Sequence, residues 1–496
     1  MRFHDHWNLV VMRRSRKWRT SPSPGLQESD RLFTVVSRPA RRAGRCPGGK
    51  ALIDPQVLLW IVALLCLVPL ALYLFRIIKD PFHPIMFVGG LTFFIACYQP
   101  LTSLAPALGY VTEPEIAYFT AVVGASFCAL VVGYLIHRWR HRGDSVEASA
   151  EFPRYNPTTL MIFGAALVVI GVACYWYTRE DYSFTGYIRA WALVWVSGLI
   201  LVMQSVLIRR SNLIVGLIFG VLALVPPVDR FFIYGQRGDT FRLAIIVIPV
   251  FLFFGRRPPR AVFIPAAICL VLVLSVLERT RGTVENGQAS NRVQALVNVL
   301  PDFFKERSTS YYGTEDFIYG SAMVDAVRNS GEYNYGRCVV DFAVRFLPKE
   351  LFDKDKYYSQ WSRPLAAETT SLAAGYSIDY GSFASGYAFA FVEFWWFTVF
   401  FWAGLGYWIR RQYVAASNTS RLDQHAYFVT LFIMLHYLIT QDINDFLLNI
   451  VCLNIPLLVA YRYSREHAAP NEESAPRKVI SEAADYPVEL GGAPVP

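Results

Sequence analysis

The chain has 496 residues, 54% of them hydrophobic and 15% aromatic but only 17% charged, with a mean hydropathy of +0.32. That is too apolar for a soluble protein with an ordinary surface, so the chain reads as a membrane protein. Its formal net charge of +9 sits in short clusters beside apolar segments and in the first 50 residues, a pattern of headgroup contact and topology control that argues against a nucleic-acid partner.

Residues 1–55 form a basic segment rich in arginine, proline and serine, without periodicity, and are expected to be disordered or to precede a natural start near Leu52. A long polar gap separates the basic start from the first apolar run, which is not the pattern of a cleaved signal. From there, apolar stretches long enough to cross a bilayer fall at 56–78, 84–106, 116–136, 158–178, 187–208, 212–228, 240–255, 261–277, 386–409, 425–440 and 445–462, about eleven spans at roughly 20 residues each. The organisation expected is spans one to eight over 56–277, a large external loop over 278–385, spans nine to eleven over 386–462 and a cytoplasmic tail over 463–496. The fold class is all-α, a polytopic transmembrane helix bundle.

Arginine and lysine orient the bundle. Arg76 and Lys79, Arg138 to Arg154, Arg209 and Arg210, Arg256 to Arg260, Arg410 to Arg421, and Arg462 and Arg465 occupy every second connection, which should therefore be cytoplasmic. The alternate connections around Glu113 and Glu115 and around Gln441 to Asp445 hold no basic residue and should be external. Eleven spans with an internal C-terminus put the N-terminus outside, against its own charge.

Of the eight cysteines, six lie inside apolar runs and no pair has CxxC spacing, so neither a disulfide framework nor a cysteine metal site is indicated. Phosphate-loop, dinucleotide-binding and HExxH patterns are missing as well, which argues against a nucleotide-driven pump and a metal hydrolase. No cofactor and no metal is expected. In the external loop, TEDFIYGSAMVDAVRNSG places Phe317, Ile318, Ala322, Val324 and Val327 near helical spacing, an amphipathic helix against the membrane or the bundle. CVVDFAVRFLPKELFDKDKYYSQW follows as an apolar run stopped at Pro348. GYSIDYGSFASGY then interleaves tyrosine with glycine and serine, a composition that suits sugar binding and equally an interfacial loop.

The external arginines run against the topology signal. Arg179 and Arg189 flank the turn between spans four and five, and Arg230, Arg237 and Arg242 crowd the stretch DRFFIYGQRGDTFR between spans six and seven. Arg242 falls about one turn inside span seven, where a charge has to pair, snorkel or face a polar cavity. Pairing with Asp229 or Asp239 is the structural alternative. Arginine grips phosphate through a planar fork of donors that stays charged. A group of arginines at the outer headgroup level suits the diphosphate of a polyprenyl carrier, and Gly235 and Gly238 would let backbone N–H groups approach the same anion.

With YGQRGD before a span, RFLPKELFDKD in a large late external loop and GYSIDYGSFASGY leading into the next span, the chain resembles the O-antigen polymerase family, the oligosaccharide repeat unit polymerases. Where such proteins often carry a glutamate and an Asn-Phe-Gly stretch, this chain reads FVEFWWFTVFFWAGLGY, and Glu393 is the one match. The resemblance, over most of residues 56–462, implies a GT-C-like bundle in the bacterial inner membrane that transfers polyprenyl-diphosphate-linked repeat units onto a lipid-linked acceptor glycan at the outer face. It implies metal-independent glycosyl transfer, with membrane lipids, a flippase and a chain-length regulator as partners. On that reading Arg237, Arg230 and Asp239 are the catalytic candidates, and Arg242, Arg179, Arg189, Arg345, Gly235 and Gly238 bind the diphosphate and substrate. Asp239, crowded by arginines, suits orienting better than proton acceptance, and Asp181, Glu368, Asp379 and Glu393 are unranked alternatives as base. Competing readings are a lipid-linked glycan transporter, a ligase, and a transferase using a lipid-monophosphate sugar, whose usual acids in the first external loop are missing here. The transporter reading would call for internal repeats.

Overall fold

A computed structural model describes residues 54–78, 83–98, 100–101, 111–140, 155–178, 191–230, 265, 292–299, 315–331, 333–344, 385–417, 422–441 and 443–466. Every regular element among them is helical: α1 Pro55–Leu74, α2 Pro84–Phe93, α3 Glu113–Arg140, α4 Pro157–Thr178, α5 Val194–Ile208, α6 Leu213–Asp229, α7 Arg292–Val299, α8 Glu315–Ser330, α9 Arg337–Val344, α10 Gly386–Phe394, α11 Thr398–Ser417, α12 Leu422–Thr440, α13 Ile443–Asn449 and α14 Ile455–Glu466. Two π-helical stretches, Phe94–Tyr98 and Ile450–Asn454, continue α2 and join α13 to α14.

Among the described residues, six helical stretches are long and apolar enough to cross a membrane: 55–74, 113–140, 157–178, 210–229, 386–416 and 443–465, with shorter apolar helices at 84–98 and 194–208. The chain is thus a multi-pass membrane protein. The expected spans at 240–255 and 261–277 lie outside the described residues. Helix starts follow ordinary capping chemistry. Asp54 accepts from the Gln56 N–H (2.7 Å) ahead of Pro55, Glu115 reaches back to the Thr112 N–H (2.9 Å), and Asn156 accepts from Thr158 and Thr159 at the start of α4.

Between helices in lipid there is little hydrophobic drive, so small residues and close backbones hold the pairs together. α4 and α5 are antiparallel and meet at Gly164 and Gly198, where an added Cβ would lie 2.9 Å and 2.7 Å from the opposing carbonyl oxygen. In the same way α3 and α11 run parallel through Gly133 and Gly406, whose added Cβ atoms would come within 1.8 Å of the Ala403 oxygen and 2.0 Å of the Leu130 oxygen. α12 lies at the centre, buried from Phe428 through Ile439. α1 and α6 are peripheral, and residues such as Leu64 and Ile214 (73% exposed) turn outward to the lipid.

Contacts bring the described basic connections to one end. Ser205 donates to the Pro157 carbonyl (2.6 Å), Gln204 to the Leu422 carbonyl (2.9 Å), and the Asn156 N–H to the Ser464 carbonyl. Arg410 donates to the Tyr134 hydroxyl (2.9 Å), which also meets the ring of His83. Arg138, Arg209, Arg410 and Arg462 therefore share an end, as the sequence pattern requires.

Two expectations change. First, residues 386–409 are not one straight span. Trp395 has φ 50° and ψ −142°, Tyr387 stacks on Trp402 with centroids 4.6 Å apart, and Phe394 stacks on Phe401. A continuous helix would separate Tyr387 and Trp402 by about 22 Å, so the chain doubles back at Trp395–Phe397. α10 is a short inserted helix, and α11, 20 residues long, makes the crossing. Second, α8 packs into the bundle and is not amphipathic: from Phe317 to Val327 every residue except Asp325 is buried. Its small residues allow this, with Gly320 against the Phe119 ring and the Ser321 hydroxyl bonded back to the Phe317 carbonyl (2.9 Å).

Candidate functional site at the end away from the basic connections

The arginine-rich stretch singled out in the sequence begins where α6 ends. Pro226 and Pro227 occupy the last turn of α6, and since proline donates no N–H they leave carbonyls without helical partners there. Arg230, just past the end, brings positive charge to the negative pole of the helix. Its guanidinium lies over the Tyr175 ring of α4, 5.0 Å from the centroid, and the Tyr175 hydroxyl donates to the Asp229 carboxylate. α4 and α6 thus hold Arg230 and Asp229 on opposite parts of one tyrosine. Arg237, Asp239, Arg242, Gly235, Gly238, Arg179, Arg189 and Arg345 lie outside the described residues, as do Asp181, Glu368 and Asp379.

The same end carries a second assembly, of which the sequence singled out Glu393 but not its partners. α8 closes on Gly331, φ 72°, whose N–H caps the Val327 carbonyl (2.8 Å). The chain then turns through Tyr335 (φ 49°) and Gly336 (φ 82°) into α9. This turn is clasped to the end of α10. The Asn334 N–H donates to the Val392 carbonyl and the Gly336 N–H to the Glu393 carbonyl, both at 3.0 Å. Glu393, 3% exposed, accepts from the Asn334 amide at Oε1 (2.7 Å) and from the Cys338 N–H at Oε2 (3.1 Å). Cys338 is in the first turn of α9, so the carboxylate also sits at the positive pole of that helix. With an N–H donor on each oxygen, Glu393 clasps the turn to the end of α10.

Above this clasp stands a group of rings. Phe391 is fully buried. Tyr118 of α3, Tyr333 of the turn and Trp396 of the reversal meet it edge to face at 5.9, 5.9 and 5.6 Å, with interplanar angles of 81°, 72° and 87°. Trp395 lies 6.2 Å from Tyr333 and is 43% exposed. Arg328 of α8 covers Tyr118 at 4.4 Å. Burial pushes the Tyr333 phenol above its ordinary value, and the charges of Tyr118 and Tyr335 would push the same way against the opposing pull of Arg328. Tyr333 consequently stays a neutral donor at physiological pH. The available signal was the spacing in GEYNYGR, where glycine and asparagine mark a turn, but its partner at Glu393 is 59 residues away.

The chain matches no family model, no curated protein and no solved structure.

Proposed function

We propose that the protein is a bacterial inner-membrane glycan polymerase of about eleven spans and GT-C-like architecture, the span count following from the length needed per crossing. On this reading it transfers polyprenyl-diphosphate-linked repeat units onto a lipid-linked acceptor at the outer face. The observation that carries the reading is the arginine-rich stretch starting at Asp229 and Arg230 at the end opposite the basic connections, which is the outer end by the positive-inside rule.

The chemistry asks for positioning and charge neutralisation. An acceptor hydroxyl oxygen bonds to the anomeric carbon, the anomeric C–O bond to the diphosphate breaks, and the electron pair leaves with the diphosphate. The hydroxyl proton passes to a carboxylate or to the departing diphosphate. Arg237, Arg230 and Arg242 neutralise the leaving charge, with Arg179, Arg189 and Arg345 in support, Gly235 and Gly238 allowing backbone approach, and Asp239 orienting the arginines. Neither cofactor nor metal enters this scheme.

A second reading, transport of a lipid-linked glycan, draws on the inserted α10 and its reversal into α11, since broken helices mark many transporter sites. One variant separates the two. Arg237→Ala in a cell making the long-chain glycan should leave the protein in the membrane and single repeat units at the surface, but no long chains. Loss of surface repeat units altogether would favour transport.

A further inference from the structure

Resting on the polymerase reading, we infer that the aromatic cup formed by Tyr118, Tyr333 and Trp396 around Phe391, with Arg328 at its rim, is a glycan subsite that seats a pyranose ring.

Each wall is edge-on to the buried floor, and Tyr118 and Trp396 are edge-on to each other as well (76°). Tyr118, Tyr333 and Trp396 are all half-buried; the Trp396 indole N–H donates to the Tyr118 hydroxyl, which keeps lone-pair capacity as an acceptor, and Tyr333 carries its own hydroxyl at the edge of an apolar face. That combination matches a sugar ring, whose C–H face is apolar and whose hydroxyls point sideways. The Arg328 guanidinium adds a planar fork of donors at the same rim.

Interfacial aromatics that merely anchor a protein in headgroups need no fixed mutual geometry. These rings are fixed by unusual means. Tyr335 and Trp395 both take positive φ without being glycine, a conformation that persists only where its surroundings impose it. Between them the buried Glu393 ties the turn carrying Tyr333 to the end of α10. The structure holds three rings from three distant parts of the chain in one arrangement, as a preorganised site requires. The cup lies at the end where the Asp229 and Arg230 assembly lies. A glycan whose diphosphate is gripped by the arginines extends from the membrane on this side.

The test uses the full-length protein in nanodiscs and, as probe, the repeat-unit oligosaccharide freed from its carrier by mild acid, which lacks the diphosphate. Wild type should bind this probe saturably. Trp396→Phe, which keeps a flat ring, should bind within about twofold, whereas Trp396→Leu and Tyr333→Leu should each weaken binding about fivefold, the scale of one aromatic contact. Arg237→Ala should leave probe binding intact while abolishing polymerisation. Equal affinity in wild type and both Leu variants, or no binding by wild type, overturns the cup and leaves the polymerase reading standing. Long chains made by Arg237→Ala overturn the polymerase reading instead.

Discussion

Tyr175 organises two charged groups with different bonds, so its two kinds of contact can be separated by substitution. Tyr175→Phe keeps the ring under Arg230 but removes the donor to Asp229. The expected loss is about 1 kcal/mol of local order, read as a severalfold fall in polymerisation by membranes supplied with lipid-linked repeat units. Tyr175→Leu also removes the cation–π contact and should fall further. Glu393 behaves differently. Replacing it by alanine removes the carboxylate that accepts from the Cys338 N–H and the Asn334 amide, a loss of about 1.5–3 kcal/mol for each hydrogen bond to a charged acceptor. Amide exchange over residues 331–338 should accelerate in Glu393→Ala and change less in Glu393→Gln, while exchange in α12 stays as it was. Tyr333 adds a pH dependence. Its phenol is raised on folding, so its contribution to the clasp is complete below the ordinary tyrosine value and fades as pH rises through the higher folded value. The turn should therefore loosen in alkaline solution, and Tyr333→Phe should weaken that transition. None of these pairings could be read from the sequence, because each joins residues tens of positions apart. Composition offered only loose hints, as with the tyrosines of GEYNYGR.

At the scale of elements, hydropathy located most of the described helices because a crossing must be long, apolar and internally hydrogen-bonded. It failed where an element is buried without crossing. FVEFWWFTVFFW is apolar except for Glu393 and Thr398, and nothing in that run reports that its backbone turns over at Trp395. α8 misled for a related reason: its charged residues gather mostly at its two ends, and between Phe317 and Val327 Asp325 is the one residue that is not buried, so its middle shows no polar face. The reversal has a direct check. In a background with the other cysteines replaced, Tyr387→Cys with Trp402→Cys should be bridged by a short bismaleimide cross-linker, since the two rings meet with centroids 4.6 Å apart, whereas one continuous helix would separate the positions by about 22 Å. Failure to cross-link, with both single variants folded, would return α10 and α11 to one continuous span. The helix pairs give a second check. Gly198→Val should drive a side chain into the Gly164 carbonyl and the Val168 backbone of α4. Overpacking of that kind costs about 1–3 kcal/mol, and the variant should unfold earlier in a denaturing-detergent titration than Gly220→Val, whose site is open.

For the whole molecule, the alternation of basic connections was legible in the sequence, and the contacts gather the described ones at one end. The far end holds the Asp229 and Arg230 assembly, the Glu393 clasp and the aromatic cup. Charge bias is readable because it acts during insertion through local sequence. Two assemblies at that end, one on α4 and α6 and one on α3, α8 and α10, are not, because their geometry exists only after packing. On the proposed function, Arg237 and its neighbours face outward and hold a diphosphate during glycan transfer. The most direct measurement is the length distribution of surface glycan from cells carrying Arg237→Ala, with the variant's membrane level and the side of a reporter fused after Gly235 checked in parallel. An external reporter, normal membrane levels and single repeat units with no long chains are expected. A cytoplasmic reporter after Gly235, or wild-type chain lengths in the variant, would contradict that function.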